Sequence, residues 1–297
     1  MEDKHKLAEE ISITQSLQLL ATAYEEISVM KMRIARDSVL HTRNFLASLT
    51  DVFVNVKSSY TKKLLQENTE SKKNAKTLQF ATHNTNGKEI YVFISATNKL
   101  YGDIVSKTFQ LFKERLQTAT GVDLAIVGKT GKELYDALPD KHPYLYFDLP
   151  DVIPSMEVLK PIITQLLQYE HVTVFYGRFV NVVKQEAIAS SISGDEPIEQ
   201  EAVQQANGSK GFDFLFEPSI EELWQFFETQ IFSSLFKQTI AEEELARLAS
   251  RIKTMEQAIV FINTRINSLT TAEKMEKRQA ENRKQLQRIA GISLWRR

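Results

Sequence analysis

The stretch Val127-Gly128-Lys129-Thr130-Gly131-Lys132 follows the apolar run VDLAIV and has the residue types of a phosphate loop. Such a loop needs G-x-x-x-x-G-K-[ST], because its backbone N–H groups must wrap the phosphates before the lysine reaches them. With Gly128, Lys129 and Thr130 as the last three positions, the first glycine belongs at position 123. That position is Asp123, a fixed negative charge where a phosphate would lie, and Gly121 comes two residues too early. The stretch reads instead as a glycine-containing turn between a strand and a helix.

Other catalytic patterns fail as well. His5, His41, His83, His142 and His171 are scattered without metal-ligand spacing. The absence of cysteine removes disulfides, thiolate zinc sites and thiol nucleophiles. Neither a G-x-S-x-G elbow nor a G-x-G-x-x-G turn after the first central strand is present. Asp148 and Asp151 flank Pro150 and read as turn residues rather than an acid/base pair. The expectation is a chain with no catalytic residue, metal or cofactor of its own.

The elements that could position a site are outlined by the helix breakers. All seven prolines lie between Pro139 and Pro218, and nine of the ten glycines between Gly87 and Gly211. Ordinary domains carry such punctuation throughout, so two long helices flanking one globular module are expected. In the C-terminal segment Leu245, Leu248, Ile252, Met255, Ile259, Ile262, Ile266 and Leu269 follow alternating spacings of three and four, the pattern of a coiled-coil seam. Near the N-terminus Ile13, Leu17, Leu20, Tyr24 and Ile27 run four, three, four, three, and Met30 and Ile34 continue that face less regularly. Both helices leave the same module, so the two seams are expected to pair antiparallel. A helix from about Ser219 to Ile289 would be roughly 105 Å long, against a diameter of roughly 40 Å for a module of this size. Much of the pair would then stand in solvent or be sheathed by another protein.

The centre reads as α/β. The runs 88–95, 122–127, 143–148 and 171–177 are β-branched and aromatic. Helical patterns lie between them at Leu100–Gln117, Gly131–Leu138 and Met156–Gln168, implying a mostly parallel sheet. The segment RFVNVVKQEAIASSI alternates like a strand at the sheet edge, and ENTESKKNAK and SGDEPIEQEAVQQANGSKG read as polar loops. The expected organisation is an N-terminal coiled-coil helix over 1–60, a polar linker over 61–86, an α/β globular foot domain over 87–211, and a C-terminal coiled-coil helix over 212–297.

Composition narrows the partners. Lys plus Arg is 37 against 38 for Asp plus Glu in 297 residues, which favours neither nucleic acid nor a strongly acidic partner. No apolar run approaches the roughly 20 residues of a membrane span. MEDKHKLAEE lacks an apolar signal core and is too acidic for a transit peptide, so a soluble intracellular chain without direct membrane insertion is expected. Charge concentrates at the C-terminal tip, where 274–297 carries eight basic residues and two acids. Cations there suit the helix macrodipole, and they could also meet acidic loops of a partner.

Six segments in order resemble the γ subunit of F-type ATP synthases, the central rotor shaft, over nearly the whole chain. KMRIARDSVLHTRNF (31–45) is similar to the family's K-M-R-x-A run, and DLAIVGKTGKELYDAL (123–138) to its strand and G-x-K-G turn. GRFVNVVKQEAIASSI (177–192) resembles its hairpin, and FDFLFEPSIEELW (212–224) its entry to the second long helix. EEELARLASRIKTMEQA (242–258) resembles E-x-x-x-R-M-x-A-M, and KRQAENRKQLQRIAG (277–291) the final R-Q-A motif. The resemblance implies a Rossmann-like sheet that binds no nucleotide, and an antiparallel coiled coil inserted into a hexamer of α and β subunits. It implies one copy per complex, with ε and the membrane c-ring as further partners. Catalysis would belong to α and β, at the cytoplasmic face of a bacterial inner membrane. By the same resemblance Arg278, Gln279 and Arg283 are tip contacts to β, and Phe216 and Glu217 are foot contacts to the ring.

The sequence departs from the family pattern in three places. S-T-D-R-G-L-C-G-G is here SATNKLYGD (95–103), T-x-K-I-T-x-A-M is LQLLATAY (17–24), and in the last motif Arg283 and Gln285 replace a Thr and a Glu. Two other functions stay open at this stage: a γ-like shaft of a specialised ATPase not coupled to ATP synthesis, and a coiled-coil scaffold whose α/β domain binds a small ligand.

Overall fold

The computed structural model describes residues 2–67, 86–192 and 220–294. In chain order the elements are α1 (Glu2–Glu67), β1 (Glu89–Ile94), α2 (Ile104–Thr118), β2 (Asp123–Val127), α3 (Lys129–Asp136), β3 (Tyr144–Phe147), α4 (Met156–Leu166), β4 (His171–Phe179), β5 (Gln185–Ser191) and α5 (Ile220–Leu294). The fold is α/β, with a five-stranded sheet whose strands lie between two long helices in chain order. α1 continues to Glu67, seven residues into the stretch read as a linker, and the rest of that stretch up to residue 85 lies outside the described residues, as does 193–219.

Two compact units divide the chain: Met1–Met30 with Arg251–Arg297, and Lys31–Ser250. The larger is built on the sheet, whose order is β3-β2-β1-β4-β5. The first four strands are parallel, and β5 folds back antiparallel on β4 with Gly177 opposite Ala187. Alternation decides the faces, because successive side chains of a strand point to opposite sides. Ile90, Val92, Ile94, Val172 and Val174 face α4 and the part of α5 that carries Phe232, Phe236 and Ile240. Phe93, Leu124, Ile126 and Phe175 face α2, Tyr135 of α3, Ala35 and Val39 of α1, and Ala241, Leu245 and Leu248 of α5. Both faces are covered, which is why the strands read as continuous apolar runs. α5 therefore passes from one face to the other between Ile240 and Ala241.

In the smaller unit α1 and α5 pair antiparallel. Glu10 meets Arg265 at 2.5 Å, the Gln18 amide donates to Asn263 Oδ1 at 2.6 Å, and the Tyr24 ring lies 5.6 Å from the Arg251 guanidinium. Partner numbers on α5 fall as those on α1 rise. The α1 seam differs from the expected one. Thr14, Ala21 and Ser28 are buried and Leu7, Ile11, Gln18 and Glu25 half-buried on one face, spaced four and three, and the same repeat continues in the larger unit through Met32, Ala35, Val39, Thr42, Leu46, Leu49, Phe53 and Val56; Tyr24 of the expected seam is half-buried beside it. Ile13, Leu17, Leu20, Ile27, Met30 and Ile34 are all about half exposed or more, Ile13 at 56% and Met30 at 70%. Size explains the correction. The C-terminal side of the pair presents Ile, Leu and Met, and the positions of α1 buried in this unit are the small Thr14, Ala21 and Ser28, while Ile13, Leu17, Leu20, Ile27 and Met30 face outward.

Candidate functional site

The phosphate-loop look-alike sits where strand β2 turns into α3, and three of the amides that would face a phosphate are already occupied. Gly128 N–H donates to Phe147 O at 2.9 Å, Thr130 N–H to Ala96 O at 2.9 Å, and Gly131 N–H to Ser95 Oγ at 2.8 Å. Ser95 Oγ in turn donates to Val127 O at 2.6 Å. Gly128 has φ +93, a conformation that favours glycine. A Cβ there would also stand 2.9 Å from the Ser95 and Ala96 carbonyl oxygens. The groups that would cradle a phosphate instead tie the ends of β1, β2 and β3 together.

In doubly wound sheets ligands sit beyond the carboxyl ends of the strands, where the strand order reverses. Here that point lies between β1 and β4, and α5 fills it. Glu243 accepts a hydrogen bond from Gly177 N–H near the end of β4. Arg247 Nη1 donates to Ser95 O, just past β1, at 3.2 Å and pairs with Asp151 Oδ1 at 2.7 Å. Asp151 also accepts from the backbone N–H of Thr97 at 2.9 Å and of Asn98 at 2.6 Å. The Tyr101 ring lies 5.2 Å from the guanidinium. These side chains are almost wholly out of water: Glu243 is 0% exposed, Asp151 4% and Arg247 5%. A glycine is required at 177, because a Cβ would stand 2.7 Å from Ile104 Cγ1 and 2.9 Å from Glu243 Oε2.

The three consecutive glutamates of α5 reach different neighbours. Glu242 meets Arg43 of α1 at 2.6 Å and the Gln238 amide at 3.0 Å. Glu243 goes to β4, and Glu244, 6% exposed, feels the charges of Arg247 and Lys31. Burial pushes the Glu243 carboxyl up to about 7, against the opposing pull of Arg247 and the Gly177 N–H. Its Oε1 stands 3.7 Å from Arg247 Nε, beyond hydrogen-bond reach. Burial also raises Glu244. Asp151 differs: burial opposes its charge, yet Arg247 and the Thr97 and Asn98 amides hold it below the usual carboxylate range.

Of the residues singled out in the sequence, Leu245 and Leu248 lie in the sheet core beside Phe93 and Phe175. Ile252, Met255 and Leu269 are buried and Ile259, Ile262 and Ile266 half-buried within the smaller unit. Arg278, Gln279 and Arg283 are exposed, as is every side chain from Lys277 to Ala290. Phe216 and Glu217 lie outside the described residues. Asp151 does stand in a bend, but as a buried ion-pair partner rather than a surface turn residue. Glu242, Glu243 and Glu244 occupy the three positions just before the seam residue Leu245, which on a helix with an apolar seam ordinarily face solvent, so no sequence signal marked Glu243 as buried. Among the described residues no cluster of acids and histidines could hold a metal ion.

A family model described as ATP synthase matches residues 4–291. The ATP synthase gamma chain of Pelotomaculum thermopropionicum is 24% identical over 298 residues, 96% of each chain. That of Nitrosospira multiformis is 20% identical over 302 residues, 98% of each. Among solved structures, the rotor of the Euglena gracilis mitochondrial ATP synthase superposes with TM-score 0.58 at 13% identity, over 94% of this chain and 99% of that one. The central stalk and c-ring structure of the Tetrahymena thermophila mitochondrial enzyme gives TM-score 0.55 at 18% identity, over 80% and 99%.

Proposed function

The chain belongs to the ATP synthase γ family, and on that footing we propose that it is the central shaft of a rotary ATP synthase, coupling ion-driven rotation of a membrane ring to catalysis on its partners. The observation that carries the mechanical reading is the sidedness of the helix pair. Small side chains of α1 are turned inward, while Ile13, Leu17, Leu20, Ile27 and Met30 of α1 and Val260 and Phe261 of α5 are left in solvent. Apolar surface of that extent marks an interaction face, and the proposed cover is a sleeve of alternating α and β subunits. The shaft has no active site of its own on this reading, and the occupied amides of the Gly128 turn support it.

Arg278, Gln279 and Arg283 are the proposed tip contacts to β, and the Phe216-Glu217 segment the proposed contact to the c-ring, with ε beside the foot and one copy of the chain per complex. No described helix is long and apolar enough to cross a membrane, and the proposed location is peripheral, at the cytoplasmic face of a bacterial inner membrane. The test is to pin the tip. The chain has no cysteine, so one placed at Gln279 would be its only thiol. Its partner belongs on the β loop whose Cα comes within about 7 Å. Oxidation should crosslink the two chains and stop multi-turnover ATP hydrolysis, and a reductant should restore it. Full activity in a quantitatively crosslinked complex would refute rotation of the tip against β.

A further inference from the structure

We infer that Glu243, Arg247 and Asp151 form the joint that fixes the C-terminal helix in rotation to the α/β domain, so that torque applied to the domain turns the shaft instead of rolling the helix in its groove. The inference rests on the rotor reading above. Its residues are positioning residues, remote from any reacting atom.

Most of what holds α5 to the sheet is apolar. Phe232, Phe236 and Ile240 pack on one face and Ala241, Leu245 and Leu248 on the other. Hydrophobic contact is non-directional, so a ridge of such residues resists separation well but resists sliding or rolling poorly. Hydrogen bonds weaken steeply when their angle changes. The polar contacts occur where α5 crosses the sheet edge, and they go to three separate places: Gly177 near the end of β4, Ser95 after β1, and Asp151 before α4. None of the three anchors is soft. Gly177 is held in register against Ala187, Ser95 N–H donates to Val127 O at 2.9 Å, and Asp151 is braced by two backbone amides. Three attachments on three segments oppose both roll and axial slip.

The same geometry argues against a purely stabilising role. A buried ion pair is commonly no more stable than apolar residues of the same volume, and its best-attested use is to fix register. Glu243 is wholly buried with a single hydrogen bond, from Gly177.

The test uses the complete enzyme in vesicles, measuring ATP hydrolysis and ATP-driven membrane potential on the same preparation. In Glu243→Leu and Arg247→Met enzymes the joint is removed, and potential generated per ATP hydrolysed should fall several-fold. Glu243→Gln keeps an acceptor for the Gly177 N–H and should stay near the wild-type ratio, while Arg247→Lys, which keeps charge without the guanidinium fork, should fall between. Wild-type ratios in assembled Leu and Met enzymes would overturn the inference. If those chains do not assemble, the Arg247→Lys enzyme decides, and a wild-type ratio there overturns it equally. A wild-type chain that never assembles with α and β subunits would instead sink the rotor reading, which is a different outcome.

Discussion

Replacing Glu243 by Gln should make the protein less sensitive to alkali. The Glu243 carboxyl is raised from 4.5 to about 7, chiefly by burial. A carboxyl raised on folding keeps its proton in the native state after the unfolded chain has lost it, so stability is full below about pH 4.5 and falls as pH rises through 7. At about 1.4 kcal/mol per pKa unit the total is on the order of 3 kcal/mol. The groups facing the carboxyl are Arg247 and Asp151, with Glu244 beside Arg247 and Glu242 committed to Arg43. Asp151, held low, works in the opposite direction and only at more acid pH. Glutamine cannot ionise, and its amide oxygen can still accept from Gly177 N–H. Denaturant unfolding of the full chain, followed by circular dichroism, should therefore give near-equal stabilities for the two proteins at about pH 4. By about pH 9 the Gln variant should be ahead by on the order of 3 kcal/mol. A difference that stays flat with pH, or a wild type that gains on the variant as pH rises, would refute a buried carboxyl titrating at this position.

The α1 register can be tested by a pair of neighbours. Ser28 is fully buried, so Ser28→Leu overpacks the seam and should cost about 1–3 kcal/mol in thermal or chemical unfolding. Ile27 is 46% exposed, and Ile27→Ser should stay within about 0.5 kcal/mol; the reverse order would restore the register read from the large apolar residues. Gly177→Ala drives a Cβ toward Ile104 and Glu243 and should cost about 1–3 kcal/mol, while an unchanged melting curve would show that this contact gives way freely.

How much was legible in the sequence follows from which residue carried the signal. Strands β1 to β4 were readable because sheet faces covered on both sides demand unbroken β-branched and aromatic runs, as in Ile90-Tyr91-Val92-Phe93. On α5 the expected seam divides: Leu245 and Leu248 lie in the sheet core, and Ile252 and Met255, each 8% exposed, are buried in the smaller unit. The buried face of α1 was not readable, since Thr14, Ala21 and Ser28 look like surface in a sequence. Reading the largest apolar residues as the buried ones then selects the wrong face of the helix. The Glu243–Arg247–Asp151 cluster was not visible. Glu243 and Arg247 stand four apart within one motif, but Asp151 is 96 residues away from Arg247 in sequence. Only the fold brings that loop to the sheet edge.

The polar cluster has a cause in the topology of the sheet. In a sheet of this order the switch point lies just beyond the carboxyl ends of β1 and β4, where backbone groups past the ladder need partners. A nucleotide-binding protein leaves that space for its ligand. Here the long helix has to cross from one face of the sheet to the other at that edge, so it occupies the space itself. Apolar side chains could fill the volume, but they would leave Gly177 N–H and Ser95 O without partners, at about 1–3 kcal/mol for each buried group left unsatisfied. Glu243 and Arg247 satisfy both, and Asp151 balances the guanidinium that results. The topology thus calls for a polar plug, and because that plug lies on a continuous helix, it is also where the sheet can grip the shaft.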